Sequence, residues 1–446
     1  MSPDLVIIGA GSAGLGAAKA AEWCGLDYVV LEASHRIGGR AYTETPAPGI
    51  HFDLGCHWMH TASRNPFTRL LHAYDMEVQQ NWKWRTNFFI GNRWIQDDEA
   101  AQFEQSAHEG MAALAKRGKD IAAMDTYDRN NVWAPVLDYW ISLNYSTDPD
   151  QVSLRDITDF EDTGEGEDWP VKQGLGTLLS RFGSGVPVSL NSPVIELDST
   201  GKQIVVKTKV GDISAPFVIV TVSTGILNAG DIKFTPSLPE WKRDAIENLQ
   251  LGNHNRICLV FDRDVFDGYT RDTATYFDDA DPPMSFSIRP FGLNYAVGVT
   301  GGRFADWLER AGQQASIDYA RERLVHMFGA DAGRHLVRSV VSAWRGEPWI
   351  RGAYSATAPG AYGARGNLAE PIDEKLLFAG EATSENFMDT VHGAYISGVR
   401  EALRVGRTLA KTMRKASATD PEKLSWLLTQ AQSDKAVQHE CDLKRR

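Results

Sequence analysis

The sequence predicts an α/β fold of two joined domains, one of them a Rossmann-like domain. Two observations support this class: a complete dinucleotide-binding pattern opens the chain, and a second buried strand with a following helix lies near the other end, over Leu376–Gly398. A third is length, since 446 residues are too many for one simple core. The second domain is predicted to be a mixed sheet-and-helix substrate domain.

The opening pattern is a strand, a glycine turn, a helix and a second strand. The apolar run Asp4–Ile8 leads directly into Gly9–Gly14, and a helix of small residues follows over Leu15–Trp23. Tyr28–Leu31 predicts a second buried strand that ends at Glu32. The glycines permit a tight turn, close approach of a pyrophosphate and close helix packing. An acid at position 32 favours an unphosphorylated ribose, as in FAD or NAD.

Composition excludes several classes of function. The net charge of −12 argues against a general affinity for nucleic acid. This acidic net charge is compatible with a cationic substrate but does not by itself indicate one. The four cysteines show no CxxC spacing, so neither a metal site nor a disulfide framework is predicted. No apolar run reaches the ~20 residues of a membrane span, and the first strand leaves no room for a signal peptide. A cytoplasmic protein with no membrane partner is expected.

Four stretches carry a family resemblance. Glu32–Arg40 contains paired glycines between two arginines, and Asp53–His60 reads DLGCHWMH. Near the end, Leu376–Thr383 is a strand running into GEAT, and Thr390–Ala402 begins a helix. Together they resemble the FAD-dependent amine oxidases, which include monoamine oxidases, polyamine oxidases and flavin-type histone demethylases. The polyamine and spermine oxidase branch is nearest. The resemblance covers roughly residues 4–412.

The resemblance implies an FAD-binding domain assembled from separate segments. These are 1–75, 184–238 and 342–415, with the substrate domain formed by 76–183 and 239–341 and a charged tail over 416–446. Where monoamine oxidases attach FAD covalently, between Trp349 and Gly360, this chain has no cysteine. The cofactor is therefore expected to be non-covalent FAD.

The resemblance also assigns site residues. The helix that begins near Thr390 would direct its N–H groups at flavin N1 and C2=O. The expected cofactor contacts are Gly9, Gly11, Ser12, Ala13, Gly14, Glu32, Ala33, Arg36, Gly38, Gly39, Arg40, Gly55, Cys56, His57, Trp58, Val194, Trp349, Gly380, Glu381, Thr390 and Val391. The expected substrate contacts are His60, Tyr354 and Thr390, and the candidate catalytic residues are Arg256 and His60.

Two positions depart from the family pattern. Where much of the family has a lysine bonded through water to flavin N5, this chain has Arg256. Arginine cannot deprotonate at working pH. It could orient water, pair with a carboxylate, bind a substrate carboxylate or serve only a structural ion pair. Some monoamine and polyamine oxidases have a tyrosine where Thr390 stands, which forms one wall around the amine; the threonine removes this wall, as in the demethylase branch.

The remaining segments predict the substrate domain and the rest of the sheets. A hairpin is expected over residues 81–95 with a Gly91-Asn92 turn, followed by helices over Asp97–Met124 and Trp133–Leu143. Asp159–Pro170 is expected to be an acidic loop. Further strands are predicted at Val194–Leu197, Gln203–Val210, Ala215–Val222, Ser285–Arg289 and Asn294–Gly298, and further helices at Trp241–Leu249, Phe304–Ala311 and Ala315–Met327.

These features predict FAD-dependent oxidation of a primary or secondary amine, including di- and polyamines, to an imine that hydrolyses to aldehyde plus amine. O2 is the expected acceptor, giving H2O2. The alternatives are an amino-acid oxidase or flavin desaturase on the same scaffold, and a catalytically quiet FAD-binding interaction protein. The expected partner is a small-molecule amine, and the sequence leaves open whether the protein is a monomer or a homodimer.

Overall fold

A parallel sheet forms around the first strand of the chain, as the apolar run before the glycine turn predicts. The computed structural model of the protein describes residues 2–80, 82, 87–115, 120–163, 167–278 and 281–409. Its strands are β1 Leu5–Ile8, β2 Tyr28–Leu31, β3 Thr43–Ala47, β4 Ile50–Asp53, β5 Trp58–Met59, β6 Phe88–Ile90, β7 Arg93–Trp94, β8 Trp169–Pro170, β9 Val188–Ser189, β10 Val194–Asp198, β11 Ile204–Thr208, β12 Gly211–Ala215, β13 Phe217–Val220, β14 Lys233–Thr235, β15 Leu249–Leu251, β16 His254–Phe261, β17 Thr273–Phe277, β18 Met284–Ile288, β19 Tyr295–Gly301, β20 Leu336–Val341, β21 Ser355–Thr357 and β22 Leu376–Phe378.

The helices lie between these strands. They are α1 Ser12–Cys24, α2 Thr68–Ala73, α3 Asp97–Ala115, α4 Ala134–Tyr145, α5 Leu154–Thr163, α6 Leu175–Gly183, α7 Thr224–Ala229, α8 Glu240–Glu247, α9 Gly302–Ala311, α10 Gln313–Phe328, α11 Asp331–Arg334, α12 Ala364–Ala369 and α13 Val391–Thr408. Short 3₁₀ turns cover Ala123–Thr126, Pro290–Gly292 and Glu381–Thr383. Along the described ranges, no helix combines the length and apolar character needed to cross a bilayer.

The first sheet has the strand order β22-β13-β1-β2-β9, and all its neighbours are parallel. Helices α1 and α13 pack together against it, because small residues let their backbones approach closely. A Cβ built on Gly398 would lie 1.9 Å from the carbonyl oxygen of Ala13. This packing brings the N-terminal ends of the first and last helices to the same side of the sheet.

The second large sheet has seven strands in the order β20-β16-β19-β18-β17-β6-β7. Its strand β16 is buried almost throughout. Helix α4 lies against β18 and β19, where the Tyr139 hydroxyl donates to the Val299 carbonyl at 3.1 Å and accepts from the Ser285 N–H at 2.6 Å. A four-stranded sheet, β12-β11-β10-β14, completes the larger elements of the described chain.

Most predicted elements are present. The hairpin is confirmed, with β6 and β7 antiparallel across Gly91-Asn92. The helix predicted at 133–143 is α4, and those predicted at 304–311 and 315–327 are α9 and α10. The strands predicted near residues 194, 203, 285 and 294 are β10, β11, β18 and β19.

Four boundaries were wrong. The expected acidic loop Asp159–Pro170 begins inside helix α5 and ends in strand β8, while 164–166 lie outside the described residues. Helix α8 ends at Glu247, because Leu249 begins β15 and pairs with Thr357. The predicted strand Ala215–Val222 is divided, since β12 ends at Ala215 and β13 begins at Phe217. Helix α3 ends at Ala115 rather than Met124, with 116–119 outside the described range.

The predicted domain division stays a prediction. The strands of the parallel sheet come from segments 1–75, 184–238 and 342–415, and those of the seven-stranded sheet come from 76–183 and 239–341. The predicted tail, 416–446, and the start of the hairpin segment at 81 and 83–86 lie outside the described residues.

Candidate active site

A cavity of about 830 Å³ lies where the parallel sheet meets the seven-stranded sheet. Its volume falls within the usual range for a cofactor or ligand site. Of the site residues predicted from the sequence, Gly14 alone does not line this cavity. Residues far apart in the chain therefore meet around a single space, from Gly9 near the start to Val391 near the end.

The glycine turn forms one end of the cavity. Gly9 has φ +102°, and a Cβ on it would lie 2.5 Å from Thr221 Oγ1. A Cβ on Gly14 would lie 1.8 Å from the Gly9 carbonyl oxygen, so this glycine serves helix packing. A Cβ on Gly11 would meet nothing nearer than 4.0 Å, at Gly39 Cα. The space above Gly11, at the N-terminus of α1, is therefore open to a phosphate-bearing ligand.

Glu32 directly follows strand β2 and is buried. Its two carboxylate oxygens accept hydrogen bonds from the backbone N–H groups of Ala10, at 2.6 Å, and Ser34, at 2.8 Å. These bonds hold the carboxylate beside the turn. Each oxygen keeps a lone pair for a further donor, which is the requirement for binding a ribose hydroxyl.

The arginines of the second glycine segment are both held by protein groups. Arg36 donates to the Gly39 carbonyl at 2.8 Å and stacks on the Tyr42 ring, 4.1 Å from its centroid. Burial lowers the pKa of Arg36, and nearby Tyr42 and acidic groups oppose this. Arg40 forms an ion pair with Glu381 at 2.8 Å. This pair joins the segment to the stretch Leu376–Thr383, which contains Glu381.

The N-terminus of α13 faces the cavity, and Thr390 is its capping residue. The Thr390 hydroxyl accepts from the Gly393 N–H at 3.0 Å and donates to the Phe387 carbonyl at 2.8 Å. The Ser12 hydroxyl of α1 donates to the Val391 carbonyl at 2.6 Å, which ties the two helix ends together. Because its hydroxyl is engaged in the cap, Thr390 contributes mainly by fixing this helix end.

The opposite wall comes from the seven-stranded sheet and its neighbours. His254 and Arg256 lie on β16, and Tyr354 precedes β21. The Tyr354 hydroxyl donates to the Leu143 carbonyl at 2.6 Å and lies 3.1 Å from His254 Nδ1. Burial and the nearby Arg256 charge lower the pKa of His254 to about 4, so this imidazole is neutral at physiological pH.

Arg256 is buried but lacks an ion-pair partner. Its backbone N–H donates to Ser342 Oγ at 2.8 Å, while its guanidinium has no hydrogen bond or carboxylate partner among the described residues. Burial lowers its pKa, with the Asp53 carboxylate opposing that effect from beyond ion-pair distance. Asp53 is instead occupied by Thr43, His57 and the N–H groups of two residues of α6. A purely structural ion pair for Arg256 is therefore absent from the described part of the chain.

His60 lies at a more exposed part of the cavity. Its Nδ1 is 3.1 Å from Asp168 Oδ1, and both side chains are about a third exposed. Burial opposes ionisation of Asp168, but the hydrogen bond and charge of His60 outweigh it, so the pKa of Asp168 lies below its usual value. His57, by contrast, is buried against Asp53, and burial together with Arg256 lowers its pKa.

Several cavity residues were not singled out from the sequence. They are Trp140, Leu143 and Asn144 of α4, Asp168, His254, Ser285 and Ser287 of β18, Val299, Asn386, Phe387 and Asp389. Most come from segments 76–183 and 239–341, where they are spread mainly over α4 and strands β16, β18 and β19 and form no local motif. Asp389 had a signal that could have been used, since an acid directly before the helix-capping Thr390 stands inside a recognised motif.

The residues present fit a dinucleotide cofactor. The open space above Gly11, the Glu32 acceptor and the N-terminal ends of α1 and α13 all border one cavity. Helix N-termini suit the pyrophosphate at one end and an electron-rich ring edge at the other. Such an arrangement can hold a large, partly anionic cofactor.

Comparison with known proteins supports this interpretation. Residues 84–406 match the family described as flavin containing amine oxidoreductase, and residues 7–74 match a NAD(P)-binding Rossmann-like domain. Human lysine-specific histone demethylase 2 is 27% identical over 451 residues, covering 90% of this chain and 53% of the demethylase. Polyamine oxidase 4 of Oryza sativa subsp. japonica is 26% identical over 450 residues, covering 90% of this chain and 88% of the oxidase.

A solved structure shares the fold. It is a double mutant of a putrescine oxidase redesigned in cofactor binding, and it aligns with a TM-score of 0.75 and 17% sequence identity over 90% of this chain and 98% of that one. Similarity at this level of identity shows the fold alone. The chain spans about half the length of the demethylase but most of the length of the polyamine oxidase.

Proposed function

Because the chain belongs to the family of flavin-containing amine oxidoreductases and its cofactor is FAD, we propose that it oxidises a primary or secondary amine. Di- and polyamines are included in this substrate class. The product is an imine, which hydrolyses to an aldehyde and an amine. O2 is the proposed electron acceptor and yields H2O2, and FAD is bound without a covalent link.

One observation carries this proposal. The cavity that contains the glycine turn and the α13 N-terminus is also lined by Trp58, His60, Asp168 and Trp140. Aromatic faces and a carboxylate are the groups that attract an organic cation. A cofactor site and an amine-compatible pocket thus share one space.

The cofactor is held by groups already described. The α1 N-terminus would take the pyrophosphate, Glu32 the ribose, and the α13 N-terminus the pyrimidine edge of the flavin ring. When bound, FAD supplies the acceptor for two electrons and a hydrogen from the carbon next to a neutral amine. Arg40 and Glu381 keep the two cofactor segments together through their 2.8 Å ion pair.

The chain's own groups bind and deprotonate the amine. Asp168 attracts the ammonium form, which is the form that predominates in water. In the tautomer that donates its Nδ1–H to Asp168, the His60 ring has Nε2 available to accept the amine proton. Leu143, Val299 and Trp140 contribute apolar surface to the wall of the same cavity.

Product analysis tests this function. The purified protein is incubated in air with putrescine, spermidine, a simple monoamine and an amino acid, and aldehyde and H2O2 are measured. We expect both products in equal amounts from at least one amine. Flavin-loaded protein that forms neither product from any amine would contradict the proposal.

A second candidate is favoured by Arg256, whose guanidinium has no carboxylate partner among the described residues. A buried guanidinium facing a ligand cavity can bind a substrate carboxylate, which would make the enzyme an amino-acid oxidase or desaturase. For this candidate, Arg256→Met should raise KM for the carboxylate-bearing substrate at least tenfold and leave KM for a simple amine nearly unchanged. Equal effects of the substitution on KM for both substrates would rule out this second candidate function.

A further inference from the structure

Beside the cavity, just before α13, lies a buried cluster of three carboxyl groups and two guanidinium groups. Its members come from five parts of the chain, and three of them, Arg365, Glu381 and Asp389, contact the hydroxyl of Ser355. They are Arg40, Asp156 of α5, Arg365 of α12, Glu381 of the 3₁₀ turn, and Asp389. The proposed function uses only the Arg40–Glu381 pair.

Two of the three carboxylates are fully supplied with donors. Asp156 binds Arg365 through two hydrogen bonds, at 2.9 and 2.8 Å, and also accepts from the Thr357 N–H at 3.0 Å. Glu381 accepts from Arg40 at one oxygen, at 2.8 Å, and from the Ser355 hydroxyl at the other, at 2.7 Å. These contacts are those of ionised carboxylates.

Asp389 has few hydrogen-bond donors among the described residues. Its Oδ1 lies 3.3 Å from Ser355 Oγ, whose single hydrogen is better placed for Glu381. Its nearest cation is Arg365 Nη2, at 3.7 Å. Both hydrogens of that nitrogen are already used, by Asp156 at 2.8 Å and by the Ser355 carbonyl at 3.1 Å. An ionised Asp389 would therefore be a buried charge without adequate donors.

The count of charges in the cluster also indicates that one of its carboxyl groups is protonated. Three ionised carboxylates against two guanidinium groups would leave one buried negative charge, whereas one proton makes the cluster neutral. Burial, opposed by Arg365 and aided by Glu381 and Asp156, raises the pKa of Asp389 well above its usual range. Burial also opposes ionisation of Glu381, but Arg40 and Arg365 outweigh it, so the pKa of Glu381 lies below its usual value. Tyr354, the other titratable group facing Asp389, has a pKa raised well above its usual range and stays neutral.

We propose that Asp389 is a positioning residue that carries a proton at neutral pH, so that the cavity wall next to α13 presents a neutral carboxyl group to FAD. Asp389 lines the cavity and is held by a left-handed backbone conformation, φ +63°, directly before the helix cap. A negative charge here would oppose the electron density that a flavin ring gains on reduction. The neutral acid keeps the effect of the α13 N-terminus intact.

The inference rests on FAD filling this cavity, and two measurements test it. The first is infrared spectroscopy of the wild-type protein and Asp389→Asn at pH 7, in H2O and D2O. We expect a protonated-carboxyl C=O band that shifts in D2O and is missing from the variant. The second is the midpoint potential of the bound flavin, measured by spectroelectrochemistry for the wild type, Asp389→Asn and Glu381→Gln.

The two variants are expected to behave differently. Asp389→Asn replaces one neutral group by another, so the midpoint potential should stay close to that of the wild type. In Glu381→Gln only Asp156 and Asp389 face the two guanidinium groups, so by the same charge balance Asp389 should ionise; the carboxyl band should be lost and the potential should fall, because the negative charge then lies at the cavity wall. A rise of the potential in Asp389→Asn, or absence of the carboxyl band from the wild type, would overturn the inference. If a variant fails to hold FAD, the wild-type infrared spectrum still decides.

Failure of this inference is distinguishable from failure of the proposed function. The infrared band and the potential are both measured without substrate. A protein with the band but without amine oxidation would keep the inference and lose the function. A protein that oxidises amines but lacks the band would keep the proposed function and overturn the inference about Asp389.

Discussion

Arg40 and Glu381 form an ion pair with an N–O distance of 2.8 Å, although 341 positions separate them in the chain. Arg40 follows the paired glycines of the first cofactor segment, and Glu381 follows the last strand of the parallel sheet. Arg40 also donates to the Ala353 carbonyl at 2.5 Å. One guanidinium thus connects three separate segments around the cofactor cavity.

Breaking this pair should be costly. Arg40→Met leaves the Glu381 carboxylate buried without its cation, and we expect a loss of about 3–5 kcal/mol in the free energy of unfolding and weaker FAD retention. Arg93→Met is the matched control, since it breaks a pair with Glu99 at the surface and should change the free energy of unfolding far less. Chemical denaturation measures both variants, and equal losses would contradict the structural role of Arg40.

The close packing of Gly14 against the Gly9 backbone predicts that a methyl group at position 14 weakens FAD binding and destabilises the protein. In Gly14→Ala the new methyl group would lie 1.8 Å from the Gly9 carbonyl oxygen, so helix α1 must move away from β1. We expect at least a tenfold loss of FAD affinity and a destabilisation of about 3 kcal/mol. Gly185→Ala is the control, because its nearest neighbour is the flexible Lys19 Nζ at 3.8 Å. Fluorescence titration with FAD compares them, and unchanged affinity in Gly14→Ala would count against the assigned turn.

Buried histidines predict a pH dependence of stability. Burial, with the Arg256 charge, lowers the pKa of His254 to about 4, and burial, with His60, lowers that of His392 to about 3. The ordinary value is 6.5, so between these limits the unfolded state binds more protons than the folded state. The free energy of unfolding should therefore fall as the pH drops from 6.5 towards 4.

Removing one of these buried histidines should weaken the pH dependence of the free energy of unfolding. In His254→Gln we expect the loss of stability between pH 6.5 and 4 to be smaller by about 1–3 kcal/mol. The control is His72→Gln, at an exposed position of α2. Denaturation curves at several pH values measure the slope, and parallel slopes for His254→Gln and the wild type would show that His254 does not titrate as described.

Asp168 should affect substrate capture more than turnover. Asp168→Asn removes a negative charge from the cavity while preserving the size of the side chain. For a cationic amine we expect KM to rise about 3–10-fold with kcat reduced less than KM is raised. Glu77→Gln is the control, because Glu77 is exposed and pairs with Lys172 on the surface. Steady-state kinetics at low and moderate salt would reveal the difference, and an unchanged KM would exclude Asp168 from amine binding.

The residues expected on the cofactor side follow from local patterns, and the structure places all of them except Gly14 around one cavity. Gly9, Gly11 and Glu32 lie in one short unit whose spacing fixes its geometry, and Thr390 caps the predicted helix. The buried strands around them follow directly from continuous apolar runs. The fold class and the family are therefore encoded in short stretches that can be read from the residues alone.

The substrate side was less predictable, because its residues meet only through tertiary packing. Asp168 was one of several acids in a stretch expected to be a solvated loop, and the structure places it beside His60, over 100 positions away in the chain. The missing ion pair of Arg256 is a property of its surroundings, which no local pattern records. The same is true of Asp389, whose proton follows from groups on α5, α12 and the 3₁₀ turn.

The most direct test of the central claim is an anaerobic titration followed by absorption spectroscopy. The purified, FAD-loaded protein is mixed without oxygen with putrescine, spermidine, a simple monoamine and an amino acid in turn. We predict a flavin spectrum that is bleached by at least one amine and restored by admitting air. A bound flavin that no amine bleaches would contradict the proposed amine oxidation, and protein that takes up no FAD at all would contradict the cofactor site itself.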